Sequence, residues 1–370
     1  MSEDIKTGAR AIYLARACEL ALRGVGSTSP NPCVGAVIVR GETTLGEGYH
    51  RVRGAPHAEV EALHEARARG HDVRGATLYV SLEPCNHHGA TPPCTDAIID
   101  AGVKRVIIGA SDPNPKTNGK GLERLRDAGV DVAVVADPWS QRIIESFAVA
   151  IRTARPYVTL KMAASLDGYV APQPGRHWLT GEAVRERVRE LRIAHDAVMV
   201  GAGTVRVDDP QLTVRPAYGR RRPYVRIVVC EDAPVPPGAR IFKAEPGYAR
   251  TIVVAPGGVR DRFASLERVA DCIFAGDGER LDLSAALIAL KEAGIASVLC
   301  EGGPTFAAGL LAQRLVDRLI WIVAPVLLAG EEAVPALARG ADVALRGWHF
   351  EIVERTGEDL WLVAKLPSDV

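Results

Sequence analysis

Residues 76–100 read ATLYVSLEPCNHHGATPPCTDAIID. The apolar start of this stretch, residues 76–81, predicts a buried strand, and its end, residues 93–100, predicts a helix. The loop between them is rich in Cys, His, Pro and Gly and contains Cys85 and Cys94. A strand that passes through such a loop into a helix indicates a layered α/β domain.

The same alternation of strands and helices extends in both directions from this stretch. Helices are predicted at 8–23, 56–69, 93–100, 119–128 and 137–155, and strands at 33–40, 43–49, 76–81, 104–109 and 131–136. This order favours a largely parallel sheet. We expect these elements to form a first domain, residues 1–150.

After Pro156 the pattern starts again and predicts a second α/β domain, residues 151–370. Its expected helices are 181–195, 283–293 and 303–314, and its expected strands are 157–163, 197–201, 224–229, 251–255, 269–274, 297–300 and 319–328, with more strand at the C-terminus. No internal repeat or low-complexity tract is visible.

The composition of the 370 residues is that of an ordinary globular protein, with 47% hydrophobic and 24% charged residues. Lys+Arg and Asp+Glu are both 45, so no global field attracts nucleic acid or an anionic membrane. The longest uncharged apolar run, residues 319–330, is shorter than the ~18–20 residues of a membrane span. The N-terminus does not resemble a signal peptide, and seven cysteines argue against a disulfide framework. We expect a cytoplasmic protein.

Four residues with zinc chemistry lie at predicted helix starts and in the loop between them. His57, Cys85 and Cys94 are three ligands of a usual zinc set, with water in the fourth position. Glu59 is two residues from His57, and as a non-ligand it could carry a proton from water to a ring nitrogen and to departing ammonia. Zinc nucleobase deaminases show His-x-Glu followed by Pro-Cys-x-x-Cys. Here eight residues separate the cysteines.

A structural zinc site is the main alternative, with His87 or His88 as the fourth ligand. A coincidence without metal is a further alternative.

The motifs together resemble those of the bifunctional riboflavin biosynthesis deaminase/reductase family. In the first half these are NPCVGA at 31–36, HAE at 57–59, LEPC at 82–85, TPPC at 91–94 and DPNP at 112–115. In the second half they are KMAASLDG at 161–168, WLT at 178–180, GAGTV at 201–205, DDPQLT at 208–213 and EGGPT at 301–305. The match spans nearly the whole chain, and the motifs keep the order of the family.

The resemblance implies a fold, two reactions and two cofactors. A cytidine-deaminase-like, three-layer α/β/α domain would precede a dihydrofolate-reductase-like α/β domain. The first would deaminate 2,5-diamino-6-ribosylamino-4(3H)-pyrimidinone 5′-phosphate, and the second would reduce the ribosyl side chain to ribityl with NADPH. One zinc ion per chain would be held by His57, Cys85 and Cys94, with Glu59 as the proton shuttle.

The resemblance also implies contacts for cofactor and substrate. Cofactor contacts are expected at Ala163, Trp178, Thr204, Asp208, Gly303, Pro304, Thr305, Phe306, Ala307, Ala308 and Gly309. Substrate contacts are expected at Asn31, Arg176, Arg192, Leu212, Arg215 and Glu301. The sequence departs from the family at Arg176 and at residues 230–232, which read CED.

Independently of the resemblance, the residues of the second half also indicate a binding site. Gly303 opens a predicted helix, so a phosphate could approach backbone N–H groups there. Glu301 would face the crevice at the carboxyl end of a strand. Lys161, in an otherwise apolar strand, must reach a site or be paired, and is a candidate proton donor. Arg192 and Arg215 could hold a substrate phosphate through forked hydrogen bonds.

Two other classes of function share the zinc residues. A nucleic-acid base deaminase with an appended binding domain is disfavoured by zero net charge and few aromatic residues. A second alternative remains open: a non-catalytic protein that senses a nucleotide and whose zinc ion only stabilises the fold. The expected partners are a small-molecule pyrimidine ribose phosphate and further copies of the chain, with no nucleic acid and no membrane.

Overall fold

The computed structural model describes residues 3–89, 91–170, 178–214, 223–231, 233–330, 333–338 and 347–366, with only the backbone for 3–10. The chain divides into two compact units, Met1–Thr153 and Ala154–Val370. Each unit is a sheet covered by helices. Among the described residues, no helix combines the length and the apolar character that a membrane crossing needs.

The first unit contains six helices and five strands within its described residues. They are α1 (Glu3–Leu22), β1 (Gly35–Arg40), β2 (Thr43–Tyr49), α2 (Ala58–Ala68), β3 (Thr77–Val80), α3 (Cys94–Asp100), β4 (Arg105–Ile108), α4 (Lys120–Asp127), β5 (Asp131–Val134), α5 (Pro138–Ile143) and α6 (Glu145–Arg152). From β1 to β5, each predicted element is found with its ends shifted by at most two residues.

The sheet of the first unit is mixed, in the order β2-β1-β3-β4-β5. Strand β1 is antiparallel to both β2 and β3, whereas β3, β4 and β5 are parallel. The prediction of a largely parallel sheet is therefore wrong for one half of it. The reason is the two-residue connection after Arg40, where Gly41 has a φ of +61°, because so short a turn joins only antiparallel strands.

The two faces of this sheet pack against different helices, which gives three layers. One face packs its alternate residues, such as Ile38 and Leu78, against α2, α3 and α4. The other face packs Val37 and Tyr79 against Leu14 and its neighbours in α1. The predicted α/β/α arrangement is confirmed.

Helix α2 lies unusually close to β2 because the facing residues are small. A Cβ atom on Gly46 would lie 2.3 Å from the carbonyl oxygen of Ala62, and one on Gly48 would lie 2.3 Å from that of Ala58. Only glycine permits this approach. It fixes the first turn of α2 against the sheet.

The predicted closing helix 137–155 is two helices, α5 and α6, with Ile144 between them at φ −90° and ψ 2°. The start is as the sequence indicates: Pro138 opens α5, and the Asp137 side chain accepts a hydrogen bond from the Ser140 N–H at 2.7 Å.

The second unit contains eleven strands and four α-helices within its described residues. They are β6 (Tyr157–Ser165), β7 (Tyr169–Val170), α7 (Glu182–Ala194), β8 (Ala197–Gly201), α8 (Ala202–Asp208), β9 (Val225–Val229), β10 (Ile252–Pro256), β11 (Asp271–Ala275), α9 (Leu283–Glu292), β12 (Ser297–Cys300), α10 (Pro304–Ala312), β13 (Arg318–Ala324), β14 (Val334–Pro335), β15 (His349–Thr356) and β16 (Asp359–Lys365). Two 3₁₀ helices, Arg240–Phe242 and Gly257–Phe263, complete the description.

Nine of these strands form one sheet in the order β11-β10-β9-β8-β12-β6-β13-β16-β15. The first seven are parallel, and the last two are antiparallel to their neighbours. One face of this sheet packs against α9 and α10. The other face packs against α8 and the two 3₁₀ helices. Helix α8 is not among the predicted elements, and β13 ends four residues before the predicted strand does.

The order of strands decides where side chains meet. Strands β8, β12 and β6 are parallel neighbours at the centre of the sheet. Their carboxyl ends therefore lie side by side, as do the residues that follow them.

Candidate functional site

His57, Cys85 and Cys94 converge in the first unit, each from the end of a different element. His57 is the N-cap residue of α2, with extended backbone and no side-chain capping bond, so its ring is free to turn away from the helix. Cys94 is the first residue of α3, and Cys85 lies in the loop after β3. The tight packing of α2 on Gly48 holds the first of these helix starts in place.

The three ligand atoms face one another at short range. The His57 Nδ1 atom lies 3.5 Å from the Cys85 Sγ atom and 3.2 Å from the Cys94 Sγ atom. All three lie within 4.8 Å of one another. A tetrahedral zinc ion holds N and S ligand atoms roughly 3.5–3.8 Å apart, given its usual bond lengths. The residues present therefore fit zinc.

The electrostatics of the two cysteines also suit a divalent cation. Hydrogen bonds from Cys94 and His57 lower the pKa of Cys85 to about 4, against the effect of burial, so this thiol is readily a thiolate. The pKa of Cys94 is raised by the neighbouring Cys85 and by burial. The negative charge of the Cys85 thiolate thus opposes ionisation of the Cys94 thiol. A bound cation would stabilise both thiolates.

Glu59 lies in the first turn of α2, beside the cluster and buried, with 4% of its surface exposed. Burial, together with the charge of Cys85, raises the pKa of Glu59 to about 7. It is not one of the three converging ligands. The predicted distinction between three ligands and one adjacent carboxylate agrees with this geometry.

The alternative of a structural four-ligand site is not supported. In the part of the chain that the structure describes, no fourth His, Cys, Asp or Glu side chain joins the three. His87 and His88 are both exposed. A zinc ion held by these three residues would keep its fourth position for water, as in catalytic zinc sites.

Sequence reasoning did not assign a role to His50, which is buried against the cluster. Its ring meets that of His57 edge-on at 5.1 Å, and its Nδ1 atom lies 3.2 Å from the Pro56 carbonyl oxygen. The Asn31 side-chain amide, predicted to contact substrate, lies 3.3 Å from the His50 Nε2 atom. The Thr91 hydroxyl lies 3.4 Å from the His57 Nε2 atom, so both ring nitrogens of His57 have neighbours.

A second cluster forms in the other unit, where β6 and β12 lie side by side. Cys300, the last residue of β12, is level with Leu160, so Glu301 follows β12 next to Lys161 of β6. The Lys161 Nζ atom is 3.6 Å from a Glu301 oxygen. Arg192, in the last turn of α7, reaches the same carboxylate with Nε–Oε1 2.6 Å and Nη2–Oε2 3.0 Å. Burial disfavours the charge of Glu301, but the two cations outweigh it and lower its pKa to about 2.

The predicted phosphate-binding turn lies next to this cluster. Gly303 is the N-cap residue of α10, with φ −71° and ψ 175°. A Cβ atom on Gly303 would lie 3.3 Å from the Thr204 Oγ1 atom, so two predicted cofactor residues are neighbours. Gly302 is close-packed for another reason: its Cβ would lie 2.5 Å from the Phe306 ring.

Comparison with known proteins agrees with this geometry. Residues 9–110 match the cytidine and deoxycytidylate deaminase zinc-binding region, and residues 156–362 match the RibD C-terminal domain. The riboflavin biosynthesis protein RibD of Escherichia coli K12 is 39% identical, over 95% of this chain and 97% of its own length. The chain belongs to the RibD family.

Solved structures of RibD proteins support the assignment. RibD of Acinetobacter baumannii is 34% identical with a TM-score of 0.81, over 96% of this chain and 98% of that chain. The diaminohydroxyphosphoribosylaminopyrimidine deaminase/5-amino-6-(5-phosphoribosylamino)uracil reductase of Thermotoga maritima is 34% identical with a TM-score of 0.83, at the same coverage of both chains. The predicted fold, a cytidine-deaminase-like domain followed by a dihydrofolate-reductase-like domain, is confirmed.

The remaining predicted site residues of this RibD chain are spread over the second unit. Ala163 lies on β6, two residues from Lys161. Trp178 is 73% exposed, with the Arg185 guanidinium 5.1 Å from its ring centroid. Asp208 ends α8. Leu212 has a φ of +49° and its side chain is buried, so a substrate contact there would have to involve its backbone.

Within α10, only the first turn is open to a ligand. Pro304, Thr305 and Phe306 are partly or fully exposed, whereas Ala307 and Ala308 are buried in the core. Gly309 faces Leu283 of α9, 3.3 Å from the position of a Cβ atom. Two expected substrate contacts, Arg176 and Arg215, lie outside the described residues.

Proposed function

We propose that His57, Cys85 and Cys94 hold zinc, that Glu59 moves the proton in deamination, and that Lys161 and Glu301 serve the reduction. The chain is a bifunctional deaminase and reductase of riboflavin biosynthesis, with zinc in the first half and NADPH in the second. The substrate is a small molecule. We propose that it is 2,5-diamino-6-ribosylamino-4(3H)-pyrimidinone 5′-phosphate.

The observation that carries the deaminase assignment is a buried carboxylate beside a three-ligand site. When bound, zinc supplies a nucleophile at neutral pH by lowering the pKa of a water molecule from ~16 to ~7. Glu59 accepts the proton of that water and passes it to the pyrimidine ring nitrogen. It would then take the second proton from the hydroxyl now bonded to the ring carbon and deliver it to the amino group as the carbon–nitrogen bond breaks, which leaves a carbonyl group and releases ammonia. His57, Cys85 and Cys94 would hold the zinc ion.

Reduction in the second half needs a hydride, a proton and an open-chain substrate. NADPH, when bound, would supply the hydride that reduces C1′ of the open-chain imine. Lys161 stands beside the ionised Glu301 and donates the proton to the imine nitrogen, which completes the ribityl amine. The backbone N–H groups at the start of α10 bind the cofactor phosphate.

Glu59→Gln tests the deaminase assignment directly. With the diaminopyrimidine substrate, ammonia release should fall by about 10² to 10⁴-fold, the usual share of general acid–base catalysis. Zinc content should stay at one per chain, and NADPH oxidation with pre-deaminated substrate should persist. Glu61→Gln, on the same helix but paired with Arg51 at the surface, is the matched control. A loss of zinc in Glu59→Gln would show instead that Glu59 is a ligand.

We further propose that the two activities separate at the predicted boundary. Residues 1–150 should release ammonia and residues 151–370 should oxidise NADPH, because each unit has its own sheet and core. Folded fragments that lack activity would place the boundary elsewhere or show that the two parts depend on each other.

The remaining expectations stand as proposals. We infer a small-molecule rather than a nucleic-acid substrate, since the net charge is zero and 5% of residues are aromatic. We infer a cytoplasmic location, where the seven free cysteines would stay reduced. Association with further copies of the chain stays a prediction.

A further inference from the structure

Residues 209–214, which include the expected substrate contact Leu212, adopt a backbone that is costly for their residue types. Asp209 has a φ of +38° and Leu212 a φ of +49°, in the left-handed region that residues with a side chain seldom adopt. Strained residues of this kind persist only where the surrounding structure holds them. The contacts of this stretch therefore decide its shape.

One end of the stretch is clamped by the hydroxyl group of Tyr248. The hydroxyl oxygen accepts a hydrogen bond from the Val214 N–H, and the hydroxyl group donates to the Val214 carbonyl oxygen at 3.1 Å. One side chain thus satisfies both backbone groups of one residue. The neighbouring Thr213 carbonyl oxygen accepts from the Arg192 Nη1 atom at 3.2 Å, and Arg192 also contacts Glu301. The clamped end therefore borders the candidate site of the second unit.

The other end is held by two contacts from the same part of the chain as Tyr248. The Arg240 backbone N–H donates to an Asp209 carboxylate oxygen at 2.7 Å. The Gln211 amide donates to the Glu245 carboxylate. We call residues 240–248 the supporting segment, because it contacts both ends of the strained stretch.

The supporting segment is itself fixed to the sheet. Arg226 of β9, which is 1% exposed, donates from its Nη2 atom to the Lys243 carbonyl oxygen at 2.9 Å. The Tyr224 backbone N–H donates to the Gly247 carbonyl oxygen at 3.0 Å, and the Tyr224 ring meets that of Tyr248 edge-on at 5.7 Å. The position of the Tyr248 hydroxyl group is therefore set by β9 and the residue before it.

We propose that Tyr248 is a positioning residue for the reduction, which holds residues 209–214 in the shape that presents the Leu212 backbone to the substrate. The proposal rests on the proposed reductase function and on its substrate contact at Leu212. Tyr248 acts through Val214 and not by contact with the substrate. Without the clamp the stretch would keep its binding shape for only part of the time, and the apparent affinity for substrate would fall by that fraction.

Tyr248→Phe in the full chain tests this, because it removes the hydroxyl group and keeps the ring. With NADPH oxidation as the readout, KM for the deaminated substrate should rise by about 3- to 30-fold, part of what two lost hydrogen bonds can cost. The value of kcat should stay within about threefold, since bound substrate restores the shape. The NADPH dissociation constant should not change, because Thr204 and Asp208 belong to α8, which is anchored in the core by the buried Val205.

Three further variants complete the design. Tyr157→Phe makes the same change at the amino end of β6 and should alter none of these values. Glu245→Ala removes the contact with Gln211 and should raise KM in the same direction. Glu245→Gln keeps an acceptor oxygen and should restore the KM of the wild type. The Glu245 pair also decides the question if a thermal melt shows that Tyr248→Phe does not fold.

Two results would overturn the proposal. An unchanged KM in both Tyr248→Phe and Glu245→Ala would show that the supporting segment does not position the substrate. A loss of kcat and of NADPH affinity together with the rise in KM would show a general loss of structure instead. If the wild type itself does not oxidise NADPH with the deaminated substrate, the proposed reductase function fails first, and the inference fails with it.

Discussion

Replacing Gly303 with valine tests whether the cofactor phosphate lies at the start of α10. Gly303 has φ −71° and ψ 175°, an extended conformation that valine adopts without strain. Its Cβ atom would lie 3.3 Å from the Thr204 hydroxyl, a contact that requires a small shift. The two γ-methyl groups would then occupy space in front of the helix N-terminus. The perturbation is therefore local and steric.

The size of the effect follows from the donors in the first turn. Pro304 has no N–H group, and the Ala307 N–H already bonds to the Gly303 carbonyl oxygen. Thr305 and Phe306 therefore provide the two backbone donors for a phosphate. Hydrogen bonds to a charged group contribute roughly 1.5–3 kcal/mol each, so partial loss of the pair should raise the NADPH dissociation constant by about 10- to 100-fold.

The assay is a fluorescence titration of the full chain with NADPH, alongside a thermal melt that shows the variant to be folded. Gly238→Val is the matched control, since a Cβ atom at Gly238 meets nothing within 4 Å. Ammonia release should be unchanged in both variants. If the folded Gly303→Val protein binds NADPH as tightly as wild type, the phosphate is not at this helix, and the cofactor assignment of residues 303–309 is refuted.

Three further predictions concern the metal site and the two folds. Cys85→Ser should abolish zinc binding, measured by metal analysis, and ammonia release. The control variant Cys33→Ser should keep both. Full zinc content in Cys85→Ser would contradict the ligand assignment. Gly48→Ala should cost about 1–3 kcal/mol of unfolding free energy by overpacking α2, and should weaken zinc retention against a chelator; an unchanged melt would contradict it. Because its folded pKa of about 2 lies below the ordinary 4.5, ionisation of Glu301 should stabilise the fold at neutral pH. That contribution should disappear as the pH falls from 4.5 to 2, so a stability difference from Glu301→Gln that does not change with pH would refute it.

The convergence of the proposed zinc ligands was predictable because their chemistry is local in the sequence. His57 and Glu59 share one helix start, and Cys85 and Cys94 bracket one loop, so their residue types and positions already indicate zinc. The neighbouring His50 was not predictable in the same way. A lone histidine after a strand carries no signal, and it is the packing of α2 on β2 that brings His57 against it.

The second site was predictable in its members but not in its connections. Lys161 stands out as a charge in an apolar strand, Glu301 as the carboxylate that follows a strand, and Arg192 as a possible ligand of a phosphate. That Arg192 uses its fork on Glu301 depends on a contact over 109 residues of sequence, which no spacing rule gives. The sheet of the first unit shows the same limit, since the alternation of strands and helices indicated parallel strands, and the short turn at Gly41 made β1 antiparallel.

The two sites are therefore held by different parts of the fold. In the first unit His57 and Cys94 lie at helix starts and Cys85 in a loop, and the packing of α2 on Gly48 sets the position of His57, so changes at this helix–sheet contact should reach the proposed metal site. In the second unit the register of β6 against β12 sets the site: β6 is nine residues long and β12 four, so Lys161 extends past the end of β12 to meet Glu301. A change that shifts this register by one residue would point Lys161 to the other face of the sheet and remove it from the carboxylate. The reduction should therefore be more sensitive to sheet mutations in β6 and β12 than to changes in the helix starts that support the deaminase.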